Sequence, residues 1–306
     1  MSIIITGANG YVGKSLCKYF FEKDVFFKTI SRGPLEHNFH YDNNIKCDFS
    51  KPFNLVEDLR GSKFIFHLAS CVHNKKSFSH QEYRIINIEA SKSLAKQSVM
   101  AKIQRFIFFS SAAVFPRESP IERPFSDESL CLPETEYGKS KLAAENEIKN
   151  VCDQSELSYS IIRPPMIYGK DAPGNWNRIL RSLSYKIPLP FGKIDNKRSF
   201  LFIGNLLSFI ETLVKSDNAK DGTFLVSDDY DISTTQLINE IKKYNKYNVI
   251  NFKMNMTLLS LIFRLLGLSN ESNQLLKNMQ LDISQTKSKL NWKPPFNFRE
   301  SIRESI

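Results

Sequence analysis

Short apolar runs, each closed by glycine or polar residues, punctuate the N-terminal half of the chain. Ser2 to Thr6, Val25 to Ile30, Phe64 to Leu68, Phe106 to Ser110 and Tyr159 to Arg163 are too short for helices and are rich in Ile, Val and Phe. Runs of this kind predict strands buried on both faces. Between them lie segments with helical spacing: Val12 to Phe21, with Val12, Leu16, Tyr19 and Phe20 on one side, and Asn87 to Ala101. Strands alternating with helices predict right-handed βαβ units, and so an α/β fold with a doubly wound parallel sheet. After Arg163 the pattern loosens. Pro164 and Pro165 stop the last strand, and Lys170 to Gly192 mixes Pro, Gly and Asn. Ser233-Thr234-Thr235-Gln236 has the form of a capping box opening a helix to about Tyr244. The expected division is a sheet domain over 1–165 and a smaller C-terminal α/β lobe over 166–306, with some lobe segments returning to the sheet domain.

The chain has 306 residues, 42% hydrophobic and 24% charged, which marks it as globular. Its net charge of +10 favours an anionic partner: a phosphorylated substrate, a nucleic acid or an acidic membrane surface. The basic residues are scattered in blocks no longer than two, which argues against nucleic acid. Cys17, Cys47, Cys71, Cys131 and Cys152 form no C-x-x-C pair and are odd in number. Free thiols in a reducing, cytoplasmic setting are the simple reading. No metal site and no signal peptide is read. Thr257 to Leu268, the longest apolar stretch, is interrupted by Arg264 and falls well short of the ~20 residues a membrane span needs. Its apolar face reads either as core or homodimer contact, or as a peripheral membrane contact.

Thr6-Gly7-Ala8-Asn9-Gly10-Tyr11-Val12-Gly13 follows a strand and opens a helix. The spacing suits a dinucleotide-binding Rossmann turn: Gly7 for the tight turn, Gly10 for approach to a pyrophosphate, Gly13 for helix against sheet. The helix N-terminus supplies unpaired N–H groups and partial positive charge. The end of the second strand reads Thr29-Ile30-Ser31-Arg32, with no carboxylate for the ribose 2′-OH of NAD. Arg32 pairs with the 2′-phosphate of NADP, or is a solvated loop residue; NADP(H) is the expectation and NAD(H) the alternative. Asp48 meets the adenine edge, or is an ordinary turn aspartate. Tyr137 and Lys141, four residues apart, share one helix face, and an ammonium near a phenol is expected to lower its pKa from about 10. Ser110-Ser111 ends a strand, where sheet enzymes of this kind place their site, and Ser111 is able to bond the same substrate oxygen as Tyr137.

In this order the motifs resemble the extended short-chain dehydrogenases/reductases, which include nucleotide-sugar epimerases, dehydratases and reductases. The resemblance runs nearly end to end, through Thr6 to Gly13, Asp48, His67-Leu68-Ala69-Ser70, Asn87, Ser110 to Phe115, Tyr137 to Lys141, Arg163 to Gly169 and Asn196-Lys197-Arg198-Ser199. It implies Tyr137 as proton donor/acceptor, Lys141 as its electrostatic partner and ribose holder, and Ser111 as the orienting hydroxyl. It implies a cofactor site of Gly7, Asn9, Gly10, Tyr11, Val12, Gly13, Arg32, Asp48, Phe49, Leu68, Ala69, Ser70, Tyr137, Lys141 and Pro164. For the substrate it implies Arg198 at the diphosphate, with His73, Ser111, Ala112, Tyr137, Asn175 and Arg178; for His73, Asn175 and Arg178 a solvated surface position is the other reading.

Met166 stands where many members have a substrate-touching Asn. With Arg163-Pro164-Pro165, Pro188 to Gly192 and the Trp292-Lys293-Pro294-Pro295 tail, this resembles a subgroup handling N-acetylated 6-deoxy-4-keto sugars in bacterial polysaccharide and O-antigen synthesis. The function so implied is NADPH-dependent reduction of the C4 keto group of a UDP-sugar. An NAD-dependent C4 epimerase is the alternative, and a non-catalytic NADP-binding module the remote one.

Overall fold

The computed structural model describes residues 2–39, 43–72, 78–245 and 249–306. Strand β1 (Ile3–Thr6) leads into α1 (Tyr11–Glu22), then β2 (Phe27–Ser31), β3 (Asn44–Lys46), α2 (Val56–Leu59), β4 (Phe64–His67) and α3 (His80–Tyr83). A π-helical stretch, Arg84–Glu89, runs into α4 (Ala90–Met100), followed by β5 (Arg105–Phe109), α5 (Glu136–Cys152) and β6 (Ser158–Arg163). The C-terminal half comprises β7 (Met166–Tyr168), α6 (Asn175–Ser184), β8 (Phe200–Phe202), α7 (Ile203–Lys215), β9 (Gly222–Leu225), α8 (Thr234–Asn245), α9 (Met256–Leu265), α10 (Ser269–Leu276), α11 (Ser284–Leu290) and α12 (Phe298–Glu304).

Seven strands form one sheet in the order β3-β2-β1-β4-β5-β6-β9, every neighbouring pair parallel. A parallel sheet needs cover on both faces, and the sequence supplies it. On β1, Ile3 and Ile5 join a core with Leu16 and Phe20 of α1 and Phe209 of α7. Ile4, pointing the other way, joins Leu94 of α4, Ile148 of α5 and Phe106 of β5. The chain winds outward from β1 to β3 and returns to β4 on the other side of β1. That reversal opens a crevice at the carboxyl ends of β1 and β4, where doubly wound sheets bind ligands.

β7 and β8 pair in a separate two-stranded sheet. Around it Tyr168, Trp176, Phe200, Phe202, Ile232 and Ile238 build a third core for the lobe. β9 returns to the main sheet and closes its β6 edge. The capping box of α8 is present: the Ser233 N–H donates to Gln236 Oε1 at 3.0 Å and the Gln236 N–H to Ser233 Oγ at 3.1 Å. The helix expected from Asn87 begins instead within the π-helical turn, whose wider winding carries Asn87. α9 is not core throughout: Leu259 is buried, whereas Leu258, Leu261 and Leu265 are exposed. No described helix is long and apolar enough to cross a membrane.

Candidate active site

The glycine turn lies between β1 and α1. Gly7 takes φ +70°, a left-handed conformation suited to glycine, and a Cβ there would stand 2.8 Å from the Ala69 backbone nitrogen. At Gly13 a Cβ would stand 2.3 Å from the Gly7 carbonyl oxygen, so only glycine lets α1 start this close. The cradle fits a dinucleotide phosphate: side chains are absent where backbone must approach, and the N-terminal N–H groups of α1 face the crevice edge.

Beneath the turn runs a hydrogen-bond chain whose proton positions follow from counting donors. Thr6 Oγ1 accepts the Leu68 and Ala69 N–H groups, both at 3.1 Å, so its own proton goes to His67 Nδ1 at 2.8 Å. His67 Nε2 then carries the ring proton and donates to Ser91 Oγ at 2.9 Å, while Ser91 donates to the Asn87 carbonyl at 2.7 Å. Burial, aided by Lys141, pushes the His67 pKa down to about 3, so this ring is neutral. The Asn87 amide accepts the Cys71 N–H at 2.8 Å and donates to Ser140 Oγ at 2.9 Å. Ser140 in turn donates to the Tyr137 carbonyl at 2.8 Å. Polar contacts thus run unbroken from the glycine turn to α5.

Ser111 precedes the 3₁₀ turn Ala112–Val114, and its Oγ accepts the Ala113 N–H at 3.1 Å. The Ala112 N–H is held by the Pro164 carbonyl at 2.8 Å. Tyr137, on the first turn of α5, hydrogen-bonds to the Ser111 side chain. Burial pushes the Tyr137 phenol up to about 12, with the Ser111 bond acting the other way. One turn on, Lys141 is 2% exposed and sits 4.3 Å over the Phe108 ring. Burial pulls its pKa down to about 7, opposed by Glu145. The expectation that Lys141 draws the phenol below 10 is therefore corrected. Desolvation raises the phenol instead, and the same desolvation disfavours the lysine's charge.

Glu145, four residues after Lys141, escaped the sequence reading. Its carboxylate is fully buried, bound by Arg163 Nε at 3.0 Å and Nη2 at 2.6 Å, and by the Ser110 hydroxyl. The signal was present: i, i+4 spacing from Lys141 puts an acid on a face that packs on the sheet.

At the other end of the crevice, Ser31 closes β2 and turns its hydroxyl inward to the Gly33 carbonyl and to Asn44. Asn9 clamps the following loop onto the glycine turn, donating to the Pro34 carbonyl at 2.9 Å and accepting the Glu36 N–H at 3.0 Å. Arg32 is exposed. The Asp48 carboxyl is held below its ordinary pKa, first by bonds from Ser50 and to a lesser degree by Arg32. Phe49 is buried edge-on to His67 at 5.8 Å. Tyr11 and Val12, on the first turn of α1, and Leu68, Ala69 and Ser70, after β4, are half-buried.

On the lobe side, Arg198 Nη1 donates to the Lys277 carbonyl at 2.7 Å, and burial lowers its pKa to about 10. Among the described residues no carboxylate pairs with it. Its backbone bridges Ile232 and Met279, and Asn196 Nδ2 donates to the Leu275 and Lys277 carbonyls, so the segment is stitched in place. Asn175 starts α6, and Arg178 is exposed on its first turn. His73 lies outside the described residues.

The family model of the NAD dependent epimerase/dehydratase family matches residues 3–227. A UDP-glucose 4-epimerase of Vibrio cholerae is 32% identical over 317 residues, covering 99% of this chain and 94% of its own. A dTDP-4-dehydro-6-deoxyglucose reductase of Escherichia coli is 24% identical over 322 residues, covering 99% and 96%. The solved structure of a UDP-glucuronic acid 4-epimerase from Bacillus cereus, in complex with NAD, superposes with a TM-score of 0.79 at 17% identity, covering 100% and 97%. With its motif turn, its sheet order and these matches along nearly its whole length, the chain belongs to the NAD dependent epimerase/dehydratase family.

Proposed function

We propose that the chain carries out hydride chemistry at C4 of a UDP-linked sugar, and that it reduces the 4-keto group of an N-acetylated 6-deoxy sugar at the expense of NADPH. The observation that carries this reading is the Ser111–Tyr137 hydroxyl pair at the carboxyl end of β5. Tyr137 carries a proton at neutral pH, and the Ser111 bond, which lowers its pKa, works toward releasing that proton to the oxygen formed on reduction. Arg32, with no acid at the end of β2, supports NADPH. The Escherichia coli relative is named for reduction of a 4-keto-6-deoxy sugar.

In this reading Ser111 bonds the C4 oxygen and sets it against Tyr137, whose proton passes to that oxygen as C4=O becomes C4–OH. Lys141 lies one turn from Tyr137, where in its protonated form it would stabilise the phenolate left behind and hold ribose hydroxyls. Arg198 forks the diphosphate, a role suited to a buried guanidinium with no carboxylate partner among the described residues. Gly7 to Gly13, Asn9 and Ala69 hold the dinucleotide. When bound, the nicotinamide supplies the hydride, consumed in a net reduction and returned to the sugar in an epimerisation.

The identity of the Vibrio cholerae relative favours the second reading, a C4 epimerase. One assay separates the two. Purified protein is mixed with a UDP-4-keto-6-deoxy-N-acetylhexosamine and NADPH or NADH, and nicotinamide absorbance is followed. Substrate-dependent loss of NADPH, slowed by Arg32→Ala, is the expected result. Interconversion of UDP-glucose and UDP-galactose without net oxidation would replace the reductase by the epimerase.

A further inference from the structure

α9 turns an unusual face to solvent. Leu258, Leu261 and Leu265 recur at i, i+3 and i+7 on its outer side, with exposures from 49% at Leu261 to 78% at Leu265. The inner side is accounted for: Leu259 is 2% exposed and Phe263 stacks on Phe191 at 6.4 Å between centroids. The surface next to α9 is of the same kind. The Leu189 N–H donates to the Ile250 carbonyl and the Phe252 N–H to the Leu189 carbonyl, both at 2.9 Å. That pairing holds exposed Ile250 and Phe252 just before α9 begins, and exposed Ile187 lies two residues before Leu189 on the paired segment.

Charge indicates what covers this face. Between Glu240 and Glu271, and again between Asp171 and Asp195, the sequence holds no acidic residue. Lys186, Lys253 and Arg264 are exposed within these stretches, and among the described residues none has a carboxylate partner. Leucines flanked by unpaired cations match the boundary of an anionic bilayer, where apolar side chains enter the acyl region and Lys or Arg meet lipid phosphates. A second copy fits less well, since a two-fold interface would set Lys253 and Arg264 against the same cations.

We propose that the outer face of α9, with the Ile187 and Ile250–Phe252 edge, docks the protein on an anionic phospholipid membrane surface. The inference is independent of which sugar reaction the site performs. The test is flotation of the full chain with vesicles of equimolar phosphatidylglycerol and phosphatidylcholine, against phosphatidylcholine alone. Sedimentation velocity is run in parallel without lipid. Flotation with the anionic vesicles, weakened by salt, is expected. The variant Leu261→Ser/Leu265→Ser should lower the partition coefficient at least about tenfold while keeping NADPH binding, because only exposed side chains change. Lys253→Glu/Arg264→Glu should remove the preference for anionic vesicles. Absence of flotation, or equal flotation by the leucine variant, overturns the proposal. So does a lipid-free dimer that the leucine variant splits, since a second copy would then cover the face.

Discussion

Replacing Gly138 with alanine tests whether the distance between α5 and the Ser111 turn governs turnover. Gly138 lies between Tyr137 and Lys139, its N–H donating to Thr135 Oγ1 at 3.0 Å. A Cβ at this position would stand 2.1 Å from the Ala113 carbonyl oxygen and 3.0 Å from Pro133 Cβ. Carbon–oxygen contacts settle near 3.3 Å, so helix and turn must part by roughly 1.2 Å. Overpacking of that kind costs about 1–3 kcal/mol, which a large domain survives with a melting temperature a few degrees lower. The catalytic cost is greater, because the displacement falls between Ser111 and Tyr137. Misplacement of about 1 Å lowers rates roughly a hundredfold. The assay is steady-state kcat and KM for Gly138→Ala, with cofactor affinity and thermal unfolding on the same sample. A folded variant with near-normal kcat would refute the idea that this contact sets the Ser111–Tyr137 geometry.

Three further outcomes are expected. Lys141 has a folded pKa of about 7 against 10.5 in the unfolded chain, so its burial penalty is full below pH 7 and is relieved as pH rises toward 10.5. Lys141→Met should therefore stabilise the cofactor-free protein by about 2–5 kcal/mol at pH 7, and less at pH 9, while abolishing turnover; thermal melts at both pH values check it. The His67 pKa is about 3 when folded and 6.5 unfolded, so the stability of the neutral ring is full above 6.5 and drains as pH falls toward 3. In urea titrations, the advantage of the native protein over His67→Gln should shrink by about 2 kcal/mol between pH 7 and pH 5. Arg198→Met should raise KM for the nucleotide sugar at least about tenfold and change kcat little, as steady-state kinetics would register.

The sequence was most legible where one local rule decided the outcome. Continuous Ile and Phe runs marked β1, β4, β5 and β6, and Ser233 with Gln236 marked the start of α8. β3 and β9 were not legible. Asn44–Lys46 is a short polar edge, and Gly222–Leu225 becomes a strand because β6 offers it a partner far back in the chain. In the site, the spacing of Gly7, Ser111, Tyr137 and Lys141 pointed to the crevice, but the direction of the phenol's pKa did not follow from it. That sign depends on how thoroughly α5 and its neighbours exclude water, which adjacency along a helix does not encode. Glu145 was missed for the same reason: an acid on a helix reads as surface until its Arg163 and Ser110 partners are in place.

The return of β9 to the sheet bears on how the chain is made. Ser160, Ile161, Ile162 and Arg163 find their partners Gly222 to Leu225 only after β7, α6, β8 and α7 have been translated. Until then a nascent chain holds the walls of its nucleotide crevice, β1 and β4, beside an open β6 edge able to pair with another chain. A fragment ending near residue 165 would keep that edge permanently. Cutting there should yield an aggregating half rather than an independent nucleotide-binding module, because it is β9, the last strand made, that covers the β6 edge.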